Sequence, residues 1–303
     1  MGWQRRGCEV DSRHEEHDRQ PLLLSAPQGS GYAGVDFQRT QTARSRYRER
    51  VFFCTETNMQ VITDKVEKSQ GTVAYSAAEH RTWEIINGRL SALHTQFACR
   101  SYLRCREQID LPLDRIPQLP ELSRRLHARS GHIVLPIAGL IDARRFLTSL
   151  GRRVMLSTTY IRDGANPEYT PEPDIVHEVI GHVPMLLDKD LGDILELFGR
   201  AAEIATDAQM VLLERLYWFT VEFGLTAEGA AVKAWGAGLL SSFGELRHAF
   251  SGGAEKRVFD AAEAALTAYD HTVMQKTLFV VKSLKDASAN VAQFLASDAY
   301  QAP

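Results

Sequence analysis

The sequence predicts a mostly α fold with a few short strands, an α+β protein dominated by helices. Three observations carry that expectation. Apolar residues recur at helical spacing through most of the chain beyond about Val51; only two runs, 132–135 and 153–161, look extended; and no internal repeat or sustained heptad is present. With 303 residues, 44% of them hydrophobic, the chain is long and apolar enough to bury a sizeable core.

Taken in order, residues 1–50 hold nine Arg, seven acids and only fourteen hydrophobic residues. Such a segment buries too little apolar surface to offset its ordering entropy, so it reads as a disordered extension ahead of a domain over 51–303. A long amphipathic helix is expected over 77–107, with Trp83, Ile86, Leu90, Leu93, Phe97 and Leu103 on its apolar face. A shorter one is expected over 120–128, opened by Pro120 and followed by Gly131. Between the two extended runs a helix over 142–150 has Asp142 as its N-cap. Helical patterning resumes near Asp174 and is expected over 191–223, 255–269 and 286–296.

Composition excludes several classes. Thirty-five basic against 38 acidic residues give a net charge of −3, which offers no electrostatic basis for a nucleic-acid or membrane-surface partner. Cys8, Cys54, Cys99 and Cys105 are too few and too irregular for a disulfide framework or a zinc ribbon, which points to a free-thiol, cytoplasmic protein. The longest nearly apolar run, 133–141, contains Pro136 and Gly139 and is far short of the ~20 residues a bilayer span needs. Near the start, Glu9, Asp11, Glu15, Glu16 and Asp18 stand where a signal peptide would be apolar.

The most informative segment is Tyr169-Thr-Pro-Glu-Pro-Asp174-Ile-Val-His177-Glu178-Val-Ile-Gly181-His182. Prolines and an aspartate ahead of an apolar pattern mark a helix start, which puts His177, Glu178 and His182 in its first turns. In the zinc-protease motif HExxH the imidazoles are four residues apart, about 40° round the helix. Here they are five apart, ~140° round a regular helix, so both reach one ion only from an irregular or tightened turn. A carboxylate from Glu222, set in an apolar context, is expensive to bury without a cation. Two neutral imidazoles and a carboxylate form the facial triad of non-haem Fe(II) oxygenases, although each residue alone is more commonly an ordinary helix residue.

These segments, with Tyr217-Trp-Phe-Thr-Val-Glu222-Phe-Gly224-Leu and Gly236-Ala-Gly-Leu-Leu-Ser-Ser-Phe-Gly-Glu245, closely resemble the tetrahydropterin-dependent aromatic amino acid hydroxylases over about Tyr75 to Ser297. The resemblance implies a mostly α, basket-like catalytic domain with His177, His182 and Glu222 as ligands of Fe(II). It also implies a reduced pterin such as tetrahydrobiopterin as cofactor, O2 as cosubstrate, and a free aromatic amino acid as substrate. By the same resemblance Gly139, Ile141, Ala143 and Phe146 correspond to the pterin loop, with Phe146 the stacking ring and Ala143 standing where many relatives have serine. Glu178 corresponds to an acid facing the pterin, and Tyr217 lies near iron and cofactor. Arg162 corresponds to the clamp on the substrate carboxylate, held by Asp174; a planar guanidinium fork matches a carboxylate bidentately. Thr170 and Ser241 correspond to residues near the substrate backbone, Ser241 also orienting a histidine ligand, while Pro173, Trp218 and Phe223 wall the ring pocket.

Departures from the family pattern are Leu156, where animal relatives carry histidine or tyrosine, and His271, at a site where phenylalanine enzymes carry valine and tyrosine enzymes aspartate. The expected substrate is L-phenylalanine, giving tyrosine or meta-tyrosine, with L-tyrosine 3-hydroxylation as the alternative. A zinc hydrolase and a non-catalytic pterin- or amino-acid-binding protein are the competing classes. Neither a regulatory domain nor a C-terminal tetramerisation helix is recognisable, so a monomer or weak dimer is expected.

Overall fold

The structure is a computed structural model and describes residues 72–301 apart from 138–140, 169 and 171. The expected extension over 1–50, Cys8, Cys54 and the pterin-loop Gly139 lie outside the described residues. Helix α1, Ala77–Phe97, opens with a capping box in which Ser76 and Glu79 satisfy each other's backbone N–H groups. It does not run on to residue 107 as expected. Ala98 and Cys99 turn extended, Cys99 N–H bonds the Ala234 carbonyl at 2.8 Å, and α2, Arg100–Ile109, starts afresh with the Cys99 thiol as its N-cap. A tertiary β-bridge between Ala98 and Ala234 overrides a helical pattern that is continuous in sequence.

Helix α3, Leu119–Ser130, has Pro120 in its first turn and ends on Gly131 at φ 75°, the left-handed cap a glycine supplies without strain. Strand β1, Ile133–Pro136, pairs in parallel with β2, Val154–Ser157, and α4, Ala143–Gly151, is the crossover between them. Asp142 caps α4 as expected, accepting from the Arg145 N–H at 2.9 Å. The expected helix over 191–223 is three elements: α5, Lys189–Ile204; α6, Asp207–Tyr217; and a π turn, Trp218–Glu222. The break is written at Thr206 and Gln209, which form a second capping box.

Beyond the π turn come β3, Leu225–Glu228, and β4, Ala231–Ala234, then α7, Ala237–Leu240, and α8, Phe243–Phe250. The expected helix over 255–269 is corrected to β5, Glu255–Val258, followed by the short α9, Ala261–Leu266. Strand β6, Thr277–Val281, completes a sheet of order β4-β3-β6-β5, with β4 antiparallel and the remaining pairs parallel. The chain continues through α10, Leu284–Leu295, and α11, Asp298–Gln301. The mostly α expectation stands. Among the described residues no helix is long and apolar enough to cross a membrane, and Cys99 and Cys105 are buried free thiols.

Helix α4, which carries Phe146, is fixed on α5 at close range. A Cβ added at Gly199 would come within 2.2 Å of the Gly151 Cα, so the two backbones touch where they cross. The Arg144 guanidinium donates to the Ala202 and Ala205 carbonyls, both at 2.8 Å, and closes the C-terminal end of α5.

Two histidines are part of the core. His94 and His132 are almost fully buried, and burial pushes their pKa values down to about 3 and about 4. Because the folded values lie below the ordinary 6.5, the unfolded chain binds the extra protons. Their stabilising contribution is complete above about pH 6.5 and is lost as pH falls towards 4, at up to about 1.4 kcal/mol per pH unit for each histidine. Urea unfolding of the metal-free protein should therefore show a midpoint that drops between pH 6.5 and 4.5. A midpoint constant across that window contradicts the assignment.

Candidate active site

His177 to His182 is a π turn, with the Val183 N–H bonded to the Glu178 carbonyl five residues back. Sequence spacing required an irregular or tightened turn. The helix is irregular, but widened: i to i+5 bonding brings residues five apart round to one side, where a regular helix would separate them. The sequence supplies one cause. Pro184 has no N–H for the Ile180 carbonyl four residues earlier, and the buried Tyr102 hydroxyl donates to that carbonyl instead, at 2.8 Å. The second ligand segment is also a π turn, Trp218–Glu222, closed by the Phe223 N–H on the Trp218 carbonyl at 2.9 Å.

The result is one tight cluster. His177 Nε2 and His182 Nε2 are 3.1 Å apart, and the Glu222 carboxylate lies 3.6 Å from the first and 3.2 Å from the second. Adjacent donors of an octahedron with bonds of about 2.1 Å are about 3 Å apart, so these three atoms can share one ion. The proton on His177 is placed by its neighbour. Ser241 Oγ donates to the Ala237 carbonyl at 2.7 Å, so it can only accept from His177 Nδ1–H, at 3.0 Å. That tautomer leaves the Nε2 lone pair facing the cluster. Gly236 seats the Ser241 segment: a Cβ there would lie 2.4 Å from the Glu222 carbonyl oxygen.

Electrostatics agree with a cation site. Burial raises the Glu222 carboxyl, yet the two imidazoles beside it outweigh this and hold it at about 2. Burial pushes His177 down to about 4, keeping it neutral. For His182 burial pulls downward, but the Glu222 carboxylate outweighs it and raises the imidazole above its ordinary value. Burial lifts Glu178 to about 8, a carboxylic acid that keeps its proton at neutral pH. The Tyr217 hydroxyl, raised well above 10 by burial, makes no hydrogen bond of acceptable geometry although it is close enough to Glu222 to influence it. A buried unpartnered hydroxyl near the Glu222 carboxylate is the kind of orphaned polar group that a bound ion or its ligand would satisfy. The donor set, two imidazoles and one carboxylate, is that of mononuclear non-haem iron.

Arg162 and Asp174 are not a surface pair. Their side chains are 3% and 0% exposed, and the guanidinium grips the carboxylate through Nε at 2.9 Å and Nη2 at 2.8 Å. Asp174 also accepts from the Arg162 N–H at 2.8 Å and the His177 N–H at 3.1 Å, so one carboxylate anchors the Arg162 side chain and the start of the first π turn. The Nη1–Nη2 edge of Arg162 is left with one long contact, to the Pro167 carbonyl at 3.5 Å.

Trp218 stacks on Tyr269 at 4.2 Å and 12° and tilts against Phe223 at 4.5 Å, forming an aromatic wall. Phe146 meets Tyr217 edge to face at 5.7 Å. Ala143 and Phe146 pack against the core, and Ile141 is half-buried just before α4. Thr170 spends its hydroxyl on the Glu172 carbonyl, Pro173 is exposed with its carbonyl taken by Thr158, and His271 is exposed on the 270–274 loop. Leu156 is half-buried in β2. Sequence reasoning missed Tyr102, which braces the first π turn, and Tyr269 as part of the wall; only Pro184 signalled the former.

Convergent imidazole and carboxylate donors from two π turns of a helical domain define a mononuclear, non-haem metal protein. A sequence profile of the family described as biopterin-dependent aromatic amino acid hydroxylase matches residues 33–300, starting inside the stretch that composition assigns to the extension. The chain belongs to that family. It is 43% identical over 225 residues to the chloroplastic phenylalanine 4-monooxygenase of Chlamydomonas reinhardtii, covering 74% of this chain and 62% of that protein. It is 43% identical over 219 residues to tyrosine 3-monooxygenase of Homo sapiens, covering 71% of this chain and 42% of that one. The chain thus spans only part of the length of these curated relatives. Its fold matches the phenylalanine hydroxylase of Chromobacterium violaceum with bound oxidised Fe(III), at TM-score 0.72 and 31% identity over 79% of this chain and 92% of that one. The Legionella pneumophila phenylalanine hydroxylase matches at TM-score 0.68 and 35% identity, over 72% and 91%.

Proposed function

We propose that the protein is a monooxygenase that hydroxylates the ring of free L-phenylalanine, with L-tyrosine 3-hydroxylation as the second reading. The observation that carries the proposal is the convergence of His177, His182 and Glu222, with Ser241 fixing the His177 tautomer that aims a lone pair at the shared point. These three residues would hold Fe(II). When bound, the reduced pterin would supply two electrons and the iron would activate O2, so that one oxygen atom enters the ring and the other ends as water.

The chain's own residues bind, orient and exclude water. Arg162, pre-turned by Asp174, presents its outer edge to the amino acid's carboxylate, and Thr170 and Pro173 flank the backbone end. Trp218 and Phe223 enclose the ring and keep water from it, which fixes the reacting carbon rather than activating it. Phe146, locked by Tyr217, is the ring on which the pterin stacks, worth about 0.5–1.5 kcal/mol beyond area burial, with Gly139, Ile141 and Ala143 along the pterin edge. Glu178, whose carboxyl burial lifts to about 8 in the metal-free chain, is the acid that faces the pterin. Ser241 and Tyr217 complete the surroundings of the ligands.

The net charge of −3 and the free thiols Cys99 and Cys105 support a cytoplasmic protein acting on a small molecule, with neither nucleic acid nor membrane as partner. We read it as a monomer or weak dimer, residues 51–303 forming the catalytic domain. The test is anaerobic reconstitution with Fe(II), then reduced pterin and oxygen with phenylalanine, tyrosine or tryptophan, and product identification by mass and retention time. Hydroxylated phenylalanine is expected; no product from any of the three overturns the proposal. Peptidase activity supported by zinc without pterin would establish the hydrolase reading instead.

A further inference from the structure

Gln275 stands outside every motif that marks the site, yet it is buried and has all its hydrogen-bonding groups engaged. Its side-chain oxygen accepts from the Trp218 indole N–H at 2.9 Å. Its amide nitrogen donates to the Asp270 carbonyl at 2.9 Å and the Val273 carbonyl at 3.0 Å. The backbone N–H bonds the Glu245 carboxylate at 3.2 Å, and the backbone carbonyl accepts from His248 Nε2 at 3.1 Å, both on α8. The amide orientation is not open to choice. An indole N–H only donates and two backbone carbonyls only accept, so the oxygen must face Trp218 and the nitrogen the loop.

One end of this side chain therefore fixes the ring that opens the Glu222 π turn, stacks on Tyr269 and tilts against Phe223. The other end fixes the loop that carries His271. We propose that Gln275 is a positioning residue that sets amino-acid selectivity by locking Trp218 and the 270–273 loop into one pocket wall. The proposal rests on the ring-hydroxylase reading and deepens it. Gln275 hydrogen-bonds neither the ligand residues nor Arg162 and Asp174, and its side-chain bonds all run to Trp218 and the 270–273 loop. With the amide in place, a ring bearing a hydroxyl and one without it meet the same fixed indole and loop; without it, the wall yields to either.

The test compares wild type with Gln275→Leu and Gln275→Glu, each as the full chain loaded with Fe(II). In the Leu variant, which removes all three side-chain hydrogen bonds, KM for L-phenylalanine should rise about tenfold or more, with kcat within about threefold of wild type. The ratio of kcat/KM for phenylalanine to that for tyrosine should move towards one, at unchanged iron content. The near-ultraviolet circular dichroism of the Trp218–Tyr269 stack should weaken. The Glu variant keeps an acceptor for the indole but loses the donor to the loop, so it should keep the stack signal and still lose selectivity. It also carries the test if the Leu variant fails to fold. An active wild type whose folded variants keep both KM and the substrate ratio overturns the role of Gln275 alone. So does a loss of kcat that parallels iron loss, which marks general damage to the domain. A wild type that hydroxylates neither amino acid overturns the ring-hydroxylase reading and the selectivity role with it.

Discussion

Glu222→Gln should leave the protein folded and strip it of tightly held iron. The amide has the carboxylate's shape but not its charge, and the two imidazoles at 3.6 and 3.2 Å then face a divalent ion with no anion to offset it. Even outer partners of metal ligands change affinity 10–100-fold, so losing the one charged ligand should weaken Fe(II) binding by at least about 100-fold. Iron per chain after dialysis, alongside thermal unfolding of the metal-free form, checks this. Without metal the variant should unfold at a somewhat lower temperature than wild type, because the imidazoles that outweigh the burial cost of the carboxylate lose their anionic partner. Full iron occupancy with turnover would remove Glu222 from the ligand set.

The second large effect is expected at Asp174. Asp174→Asn removes one charge from a pair with side chains 3% and 0% exposed and leaves the Arg162 guanidinium buried without its partner. Breaking such a pair costs about 3–5 kcal/mol. For a domain of this size that corresponds to a melting temperature lower by roughly 6–15 °C. The clamp also loses its orientation, so KM for the amino acid should rise by about 30-fold or more, as when one partner of a buried charge pair is truncated. The double change Arg162→Met with Asp174→Leu separates the two effects. Removing both charges should restore much of the melting temperature while leaving substrate affinity low. A double variant as unstable as the single would show that Asp174 matters through its bonds to the Arg162 and His177 N–H groups instead.

The sequence made the site more legible than the fold around it. The histidines, Glu222, Arg162, Asp174 and Ser241 are nearly all in contiguous motifs, and chemistry restricts the residue types that can serve. The helices over 120–128 and 142–150 were legible because local signals, Pro120 and Asp142, agree with the tertiary outcome, and the one over 286–296 through its helical periodicity. The break after Phe97 was not, since it answers to Ala234, far along the chain. Residues 255–258 take a strand only because β6 lies beside them. The π turns escaped a 3.6-residue template by construction: five-residue spacing allowed a shared ion only from an irregular or tightened turn, and Pro184 and Tyr102 instead hold a widened one open. Gln275 was invisible because a lone amide in a polar stretch carries no periodic or compositional signal.

Helix-interior glycines are the usual first targets when a protein is engineered for heat resistance, since alanine there typically adds about 0.5–1 kcal/mol. In this molecule the same edit has opposite outcomes on two helices. At Gly88, on the outer side of α1, an added methyl group meets no atom within 4 Å, so Gly88→Ala should raise the melting temperature. At Gly199 the methyl would strike the α4 backbone and lever away the helix that bears Phe146, lowering both heat tolerance and pterin affinity, as calorimetry and pterin titration would record. A consensus-driven library that treats the two positions alike would discard its gain at the first with its loss at the second.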